Sequence, residues 1–154
     1  MSEHRATVRW ANPAGAMDHA TFSRDHEWVA KDGRVRIKGS AAPAYGGSPD
    51  ALDPEDALVG ALAACHMLTF LAIAAKQRLV VRSYADDAVG ILGPDAAGRT
   101  AITRVTLRPV VAFDPAAAPD AAAYAKLHAK AHAHCFVANS VRTEVVLEPV
   151  LAPG

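Results

Sequence analysis

Residues 53–76 read DPEDALVGALAACHMLTFLAIAAK, and the fold turns on them. Asp53 can cap a helix, Pro54 suits the first helical position, and Asp56 stands three residues after the cap as a carboxylate variant of the capping box. These signals predict a long helix running to about Arg78. Between Ala57 and Ala75 there is no charged residue, so by length alone the stretch could cross a membrane. Its alanine content, the mid-helix His66 and the amphipathic strands on either side suit a core helix better than a lone lipid anchor. A helix apolar all round must be covered all round. A domain with one other helix and one sheet covers part of it, and a second copy of the chain is the cover expected for the rest. The small residues Gly60, Ala61, Ala63 and Ala64 would let another backbone approach, so the expectation is a homodimer with this helix at or near the interface.

Working outward, period-2 alternation marks half-buried antiparallel strands at Val35–Ile37, along Val105, Leu107 and Val111, and along Val141, Val145 and Leu147. Ala6–Trp10, Thr21–Val29 and Leu79–Leu92 are weaker candidates, the last interrupted by Asp86, Asp87 and Gly90. About six strands are expected. A second helix is expected from near Pro119 to about His134, and the Gly/Pro-rich stretch 43–54 reads as a loop, not a domain linker. The whole is an α+β arrangement, expected as a single domain over residues 1–154.

The chain of 154 residues has 16 Lys plus Arg against 16 Asp plus Glu, so no net field draws it to nucleic acid or anionic lipid, and polyanionic partners are not expected. The opening segment MSEHRATVRW carries charges where a secretory signal needs an apolar core, and the expected compartment is the cytoplasm, without membrane insertion. Two cysteines in a reducing compartment are seldom a structural staple: they are inert core thiols or they are chemistry.

Cys65 lies more than two turns inside the helix, beyond reach of the helix dipole, and apolar surroundings would push its thiol above the free value of about 8.5. One guanidinium about 4 Å away, at an effective dielectric near 20, is worth roughly 4 kcal/mol, or about three pKa units, and would reverse that. His66 points about 100° away from Cys65 on a helix and is a poor base for it; a packed or interface histidine is expected. In the second helix His128, His132 and Cys135 share one face, with His134 adjacent. That spacing could ligate a metal, or the histidines could be solvated positions on a surface helix.

The segment DPEDALVGALAACHMLTFLA, followed about 70 residues later by HAHCFVANS and a final strand, resembles the OsmC/Ohr peroxidases. The resemblance implies antiparallel sheets wrapped around a long buried central helix, an intertwined homodimer, and reduction of organic hydroperoxides, or hydrogen peroxide, at the expense of a dithiol reductant and without a cofactor or metal. It implies that Cys65 is the peroxidatic cysteine, Cys135 the resolving one and Glu55 the active-site carboxylate. Arg24, in the pair Arg24-Asp25, resembles the catalytic arginine of Ohr-like members, although here the pair is flanked by Ser23 and His26 where that pattern has glycine, and 40–53 holds no arginine. Arg34 and Arg36 are the fallbacks. Ten residues separate Glu55 from Cys65, about 15 Å along a helix, so the two cannot touch across an intact one. Leu62, Met67, Leu68 and Phe70 could form an apolar wall for the substrate, or plain core. The rival functions are a metal-binding protein using His128, His132 and Cys135, and a non-catalytic ligand binder on the same scaffold.

Overall fold

The fold is taken from a computed structural model, which describes residues 1–13, 15 and 17–152. The chain divides into two compact units, Met1–Ala57 and Leu58–Gly154.

The first unit is built on an antiparallel meander of β1 (Ala6–Arg9), β2 (His26–Ala30) and β3 (Val35–Gly39). The β2–β3 hairpin closes through Lys31, Asp32 and Gly33, all at positive φ, the left-handed conformation that a right-twisted hairpin needs at its tip. Gly39 faces His26 and Trp28 so closely that a Cβ would stand 2.4 Å from His26 Nε2. Below it, buried Ser40 donates to Asp25 Oδ1 (2.8 Å) and accepts from the Ser48 amide (3.0 Å), tying the loop after β3 to the start of β2.

Helix α1 (Pro54–Lys76) begins as the sequence predicts: Asp53 Oδ1 accepts from the Asp56 amide at 2.7 Å, with Pro54 at the first position. It ends two residues before the expected limit, where Arg78 takes φ of 60°. From Leu58 onward it belongs to the second unit, which has two three-stranded sheets. One has the order β4 (Val81–Asp86), β7 (Pro109–Phe113), β9 (Val150–Leu151); the other β5 (Val89–Pro94), β6 (Thr100–Leu107), β8 (Glu144–Leu147). Helix α2 (Ala121–Ala133) is capped by Asp120, whose carboxylate accepts from the Ala123 amide at 2.7 Å. Pro119 therefore precedes the cap and is not in the first turn.

Among the described residues nine strands form where about six were expected. The Val105–Val111 run breaks at Arg108, whose amide turns to Asp86 Oδ1, so that β6 and β7 join different sheets. The Leu79–Leu92 run likewise divides after Asp86 into β4 and β5. The closing strands β8 and β9 lie parallel to β6 and β7, not antiparallel, an orientation that alternation alone does not encode.

Along α1 the fully buried side chains are Leu62, His66, Phe70 and Ala74, four positions at i+4 intervals and so a single stripe. Leu62 packs with Val105 and Leu107 of β6; Phe70 and Ala74 pack with Val111 and Phe113 of β7 and with Tyr124, Leu127 and Ala131 of α2. Gly90 of β5 lets Val59 approach to where a Cβ would lie 2.6 Å from Val59 Cγ2. The opposite stripe, with Ala61, Ala64, Leu68 and Ala72, is exposed in the isolated chain. The helix is long and apolar enough to cross a membrane, but one stripe of it is bound to strands and α2 as in a core helix.

Replacing Phe70 by alanine removes the ring shared by β7, α2 and α1, and should lower unfolding free energy by about 3–5 kcal/mol. Asp53→Ala, which deletes only the cap, should cost about 1 kcal/mol. Equilibrium urea denaturation followed by circular dichroism distinguishes the two.

Candidate active site

Both thiols belong to the second unit, and both face the turn after α2. Cys65 is half-buried and Cys135 is buried; neither is oxidised. The Val137 amide donates to Cys65 Sγ at 3.5 Å and the Ala138 amide to Cys135 Sγ at 3.4 Å. Successive amides of one turn thus address the two sulfurs, and the side chains of Cys65 and Cys135 also hydrogen-bond each other. Burial first, and that shared bond second, push the Cys135 thiol up to about 11, against a smaller downward pull from the Ala138 amide. At neutral pH Cys135 is therefore a protonated thiol beside a more accessible partner.

Cys65 opens onto a trough of about 770 Å³ lined by Ala61, Ala64, Leu68, Thr69, Ala72 and Ile73 of α1, together with Lys76, Gln77, Lys130, His134 and Phe136. Phe136 is 83% exposed. The α1 wall is the helical neighbourhood of Cys65, at positions −4, −1, +3, +4, +7 and +8. Of the four wall residues expected from the sequence only Leu68 is in it. Leu62 and Phe70 point into the core on the opposite stripe, and Met67 is half-buried outside the lining. Counting in threes and fours from Cys65 would have found Ala61, Thr69 and Ala72; Phe136, on another element, had no such signal.

Next to Cys65 in sequence, His66 turns inward and meets His128 of α2, Nε2 to Nδ1, at 2.9 Å. The rings stack with 5.3 Å between centroids, and His128 is further enclosed by Phe70 (4.4 Å, stacked) and Tyr124 (4.6 Å, edge-on). Burial lowers both imidazoles to about 4, aided by the neighbouring His132 for His66 and by His66 for His128. The pair is neutral at physiological pH, one ring donating and the other accepting. His128, read from the sequence as either a ligand or a solvated surface position, is a core residue: its Nδ1 is engaged by His66 while Cys135 Sγ is engaged by Ala138. Among the described residues no three His, Cys, Asp or Glu side chains are arranged to hold a metal ion, so the geometry does not gather His128, His132 and Cys135 as a metal site.

Arg24 and Glu55 belong to the first unit. Arg24 donates to the Phe22 carbonyl (2.7 Å) and the His19 carbonyl (2.8 Å), and its guanidinium lies 4.1 Å over the Phe22 ring. Glu55 is half-buried in the first turn of α1. Of the fallbacks, Arg36 is paired with Glu27 on the exposed sheet and Arg34 donates to the Lys31 carbonyl.

The family model described as OsmC-like protein matches residues 47–149. Among solved structures, an OsmC-like protein of unknown function from Vibrio cholerae is 46% identical, covers 97% of this chain and 100% of its own, and superposes with a TM-score of 0.93. An organic hydroperoxide resistance protein from Legionella pneumophila (16% identity, 99% and 98% coverage, TM-score 0.69) and one from Bacillus subtilis (18%, 98% and 98%, 0.63) share the fold. No protein of curated function matches the chain.

Two measurements follow from the site's electrostatics. With its thiol near 11 against an ordinary 9.0, Cys135 should be alkylated by iodoacetamide about 100-fold more slowly than a free cysteine, and after Cys65; peptide mapping of a time course reads this. The histidine pair titrates near 4 in the fold against 6.5 in the open chain. Between those values the unfolded chain binds protons that the folded one does not, so the pair's contribution to stability is level above pH 6.5 and falls as pH drops toward 4. Thermal midpoints taken between about pH 7 and pH 4.5 should decline in wild type and much less in His66→Met/His128→Leu.

Proposed function

Because the chain belongs to the OsmC-like protein family, we propose that it is a thiol-dependent peroxidase that reduces organic hydroperoxides through Cys65 and Cys135. The observation that carries the reading is the unequal thiol pair at the foot of an apolar trough: one sulfur half-exposed, the other buried, hydrogen-bonded to the first and held protonated. Relatives of the same fold named organic hydroperoxide resistance proteins support the peroxide-related role.

In this reading the Cys65 thiolate attacks the distal oxygen of ROOH. The O–O bond breaks, the alkoxide leaves with a proton as ROH, and Cys65 becomes a sulfenic acid. The sulfur of Cys135 then attacks Cys65, a disulfide forms and water leaves, carrying the sulfenic oxygen with the proton from Cys135. A dithiol reductant returns two electrons and two protons, and is itself oxidised to a disulfide. The apolar α1 wall of the trough accepts the alkyl part of an organic hydroperoxide more readily than it rewards a fully hydrated H₂O₂.

We assign Arg24 to stabilising the thiolate and polarising the peroxide, and Glu55 to orienting its guanidinium. The two carbonyls that Arg24 already engages hold the group in place and leave most of its five donors for such a role. The working unit in this reading is a cytoplasmic homodimer, its second copy covering the exposed Ala61, Ala64, Leu68 and Ala72 stripe, whose small side chains permit close approach.

The test is mass spectrometry of reduced, metal-free protein after one equivalent of cumene hydroperoxide. Wild type should show a rapid Cys65–Cys135 disulfide, Cys135→Ser a trapped sulfenic acid on Cys65, and Cys65→Ser no oxidation. Arg24→Met should slow the first step about 100-fold, with Arg36→Met near wild type. Unmodified wild-type thiols would overturn the peroxidase, leaving ligand binding in the trough as the function to pursue.

A further inference from the structure

Of the two cysteines the peroxide step needs only Cys65, but the disulfide step needs two helices in register. A disulfide tolerates only Cα separations of about 4.4–6.8 Å and Cβ separations near 3.8 Å, so a slip of one helical rise, about 1.5 Å, between the elements carrying the cysteines would spoil it. Between α1 and α2 the packing surface is smooth: Phe70 and Ala74 against Tyr124, Leu127 and Ala131. Apolar contacts of this kind are non-directional. Beside Phe70 and Tyr124 stands the one polar joint between the two helices among the described hydrogen bonds, His66 Nε2 to His128 Nδ1 at 2.9 Å.

Its placement relative to the thiols is close on both sides. His66 is the residue after Cys65. His128 is seven residues, or two turns, before Cys135, with α2 ending at Ala133 and His134 capping it; the His134 amide donates to the Ala131 carbonyl and the Cys135 amide to the His132 carbonyl, each at 3.2 Å. The helix therefore transmits the position of His128 to the turn that carries Cys135 and the amides of Val137 and Ala138. The two rings are wholly buried, with His66 Nδ1 and His128 Nε2 lacking a hydrogen-bond partner among the described residues. A pair of leucines would fill this space without that cost. A buried polar pair kept against such a cost is best explained where it selects one register from several that apolar packing would allow, as a single buried asparagine does in a coiled coil.

We infer that His66 and His128 are positioning residues for the disulfide step, their bond fixing α2 against α1 so that Cys135 meets Cys65. This rests on reading the two cysteines as a redox pair, but not on peroxide being the oxidant. The prediction is that the bond governs closure of the disulfide, not oxidation of Cys65.

Diamide provides the test, since it closes the disulfide without any peroxide: the two thiols give up two electrons and two protons, and the diazene becomes a hydrazine. Closure rate and the equilibrium with glutathione are compared in wild type, in His66→Met/His128→Leu, which keeps volume and removes the bond, and in His66→Gln/His128→Asn, whose amides can restore one. Far-ultraviolet circular dichroism and urea midpoints identify the folded variants. The expected result is a loss of about tenfold or more in effective thiol concentration for the Met/Leu pair and recovery to within about threefold for the Gln/Asn pair. In the Cys135→Ser background, Cys65 should be alkylated at the same rate with and without the histidines. A folded Met/Leu variant that closes at the wild-type rate overturns the inference, as does a folded Gln/Asn variant that loses as much as Met/Leu. If the Met/Leu double variant does not fold, His66→Met alone is read against the same threshold. A wild type that closes with diamide yet ignores hydroperoxide would defeat the peroxidase reading and leave the positioning role standing.

Discussion

The second unit is organised by the need to cover a helix that has no charged face. From Ala57 to Ala75 every position of α1 is uncharged, so water is a poor solvent for it on any side. The strands and α2 cover the stripe of Leu62, His66, Phe70 and Ala74. The N-terminal half of that stripe joins the cluster of Val105 and Leu107, the C-terminal half the cluster of Val111, Phe113 and Tyr124. His66 falls between them. The two sheets thus meet α1 at different heights, with His66 on the stripe between them and its partner His128 enclosed by Phe70 and Tyr124 of the second cluster.

This packing also decides which thiol is the more accessible. On a helix, a residue adjacent to a buried one is turned about 100° from it, so burying His66 places Cys65 on the flank, half-exposed along the trough. Cys135 comes after α2 has ended and is enclosed by the same turn that supplies amides to both sulfurs. The same low-dielectric surroundings that raise the Cys135 thiol would raise any isolated thiol in the core. The difference between the two cysteines is one of access and not of residue type, and it follows from which stripe of α1 faces the core.

Much of this was legible in the residues. Asp53 and Pro54 marked the start of α1, the alternation at Val35–Ile37 marked β3, and the cysteine spacing with its Asn-Ser turn marked the family. What escaped depended on tertiary context. A period-2 run cannot announce that Arg108 will bond Asp86 and divide one strand into two, nor that β8 will run parallel to β6. Likewise His128 reads as surface beside Lys126 and Lys130 until one sees that Tyr124, Leu127, His128 and Ala131 form the buried face of α2. Leu62 and Phe70 were as apolar as Leu68, and only the phase of the helix separated core from trough.

The exposed stripe carries the remaining consequence. Ala61, Ala64, Leu68 and Ala72 present a narrow apolar seam with a single large side chain, Leu68, which is 63% exposed. A seam of small residues is a poor place for a monomer to leave uncovered and a good place for two backbones to meet. Cys65 lies on the margin of that seam, and the exposed Phe136 lines the same trough. A second copy seated there would narrow the trough without touching the buried histidines. Covering α1 and shaping the approach to its thiol are, on this geometry, the same act.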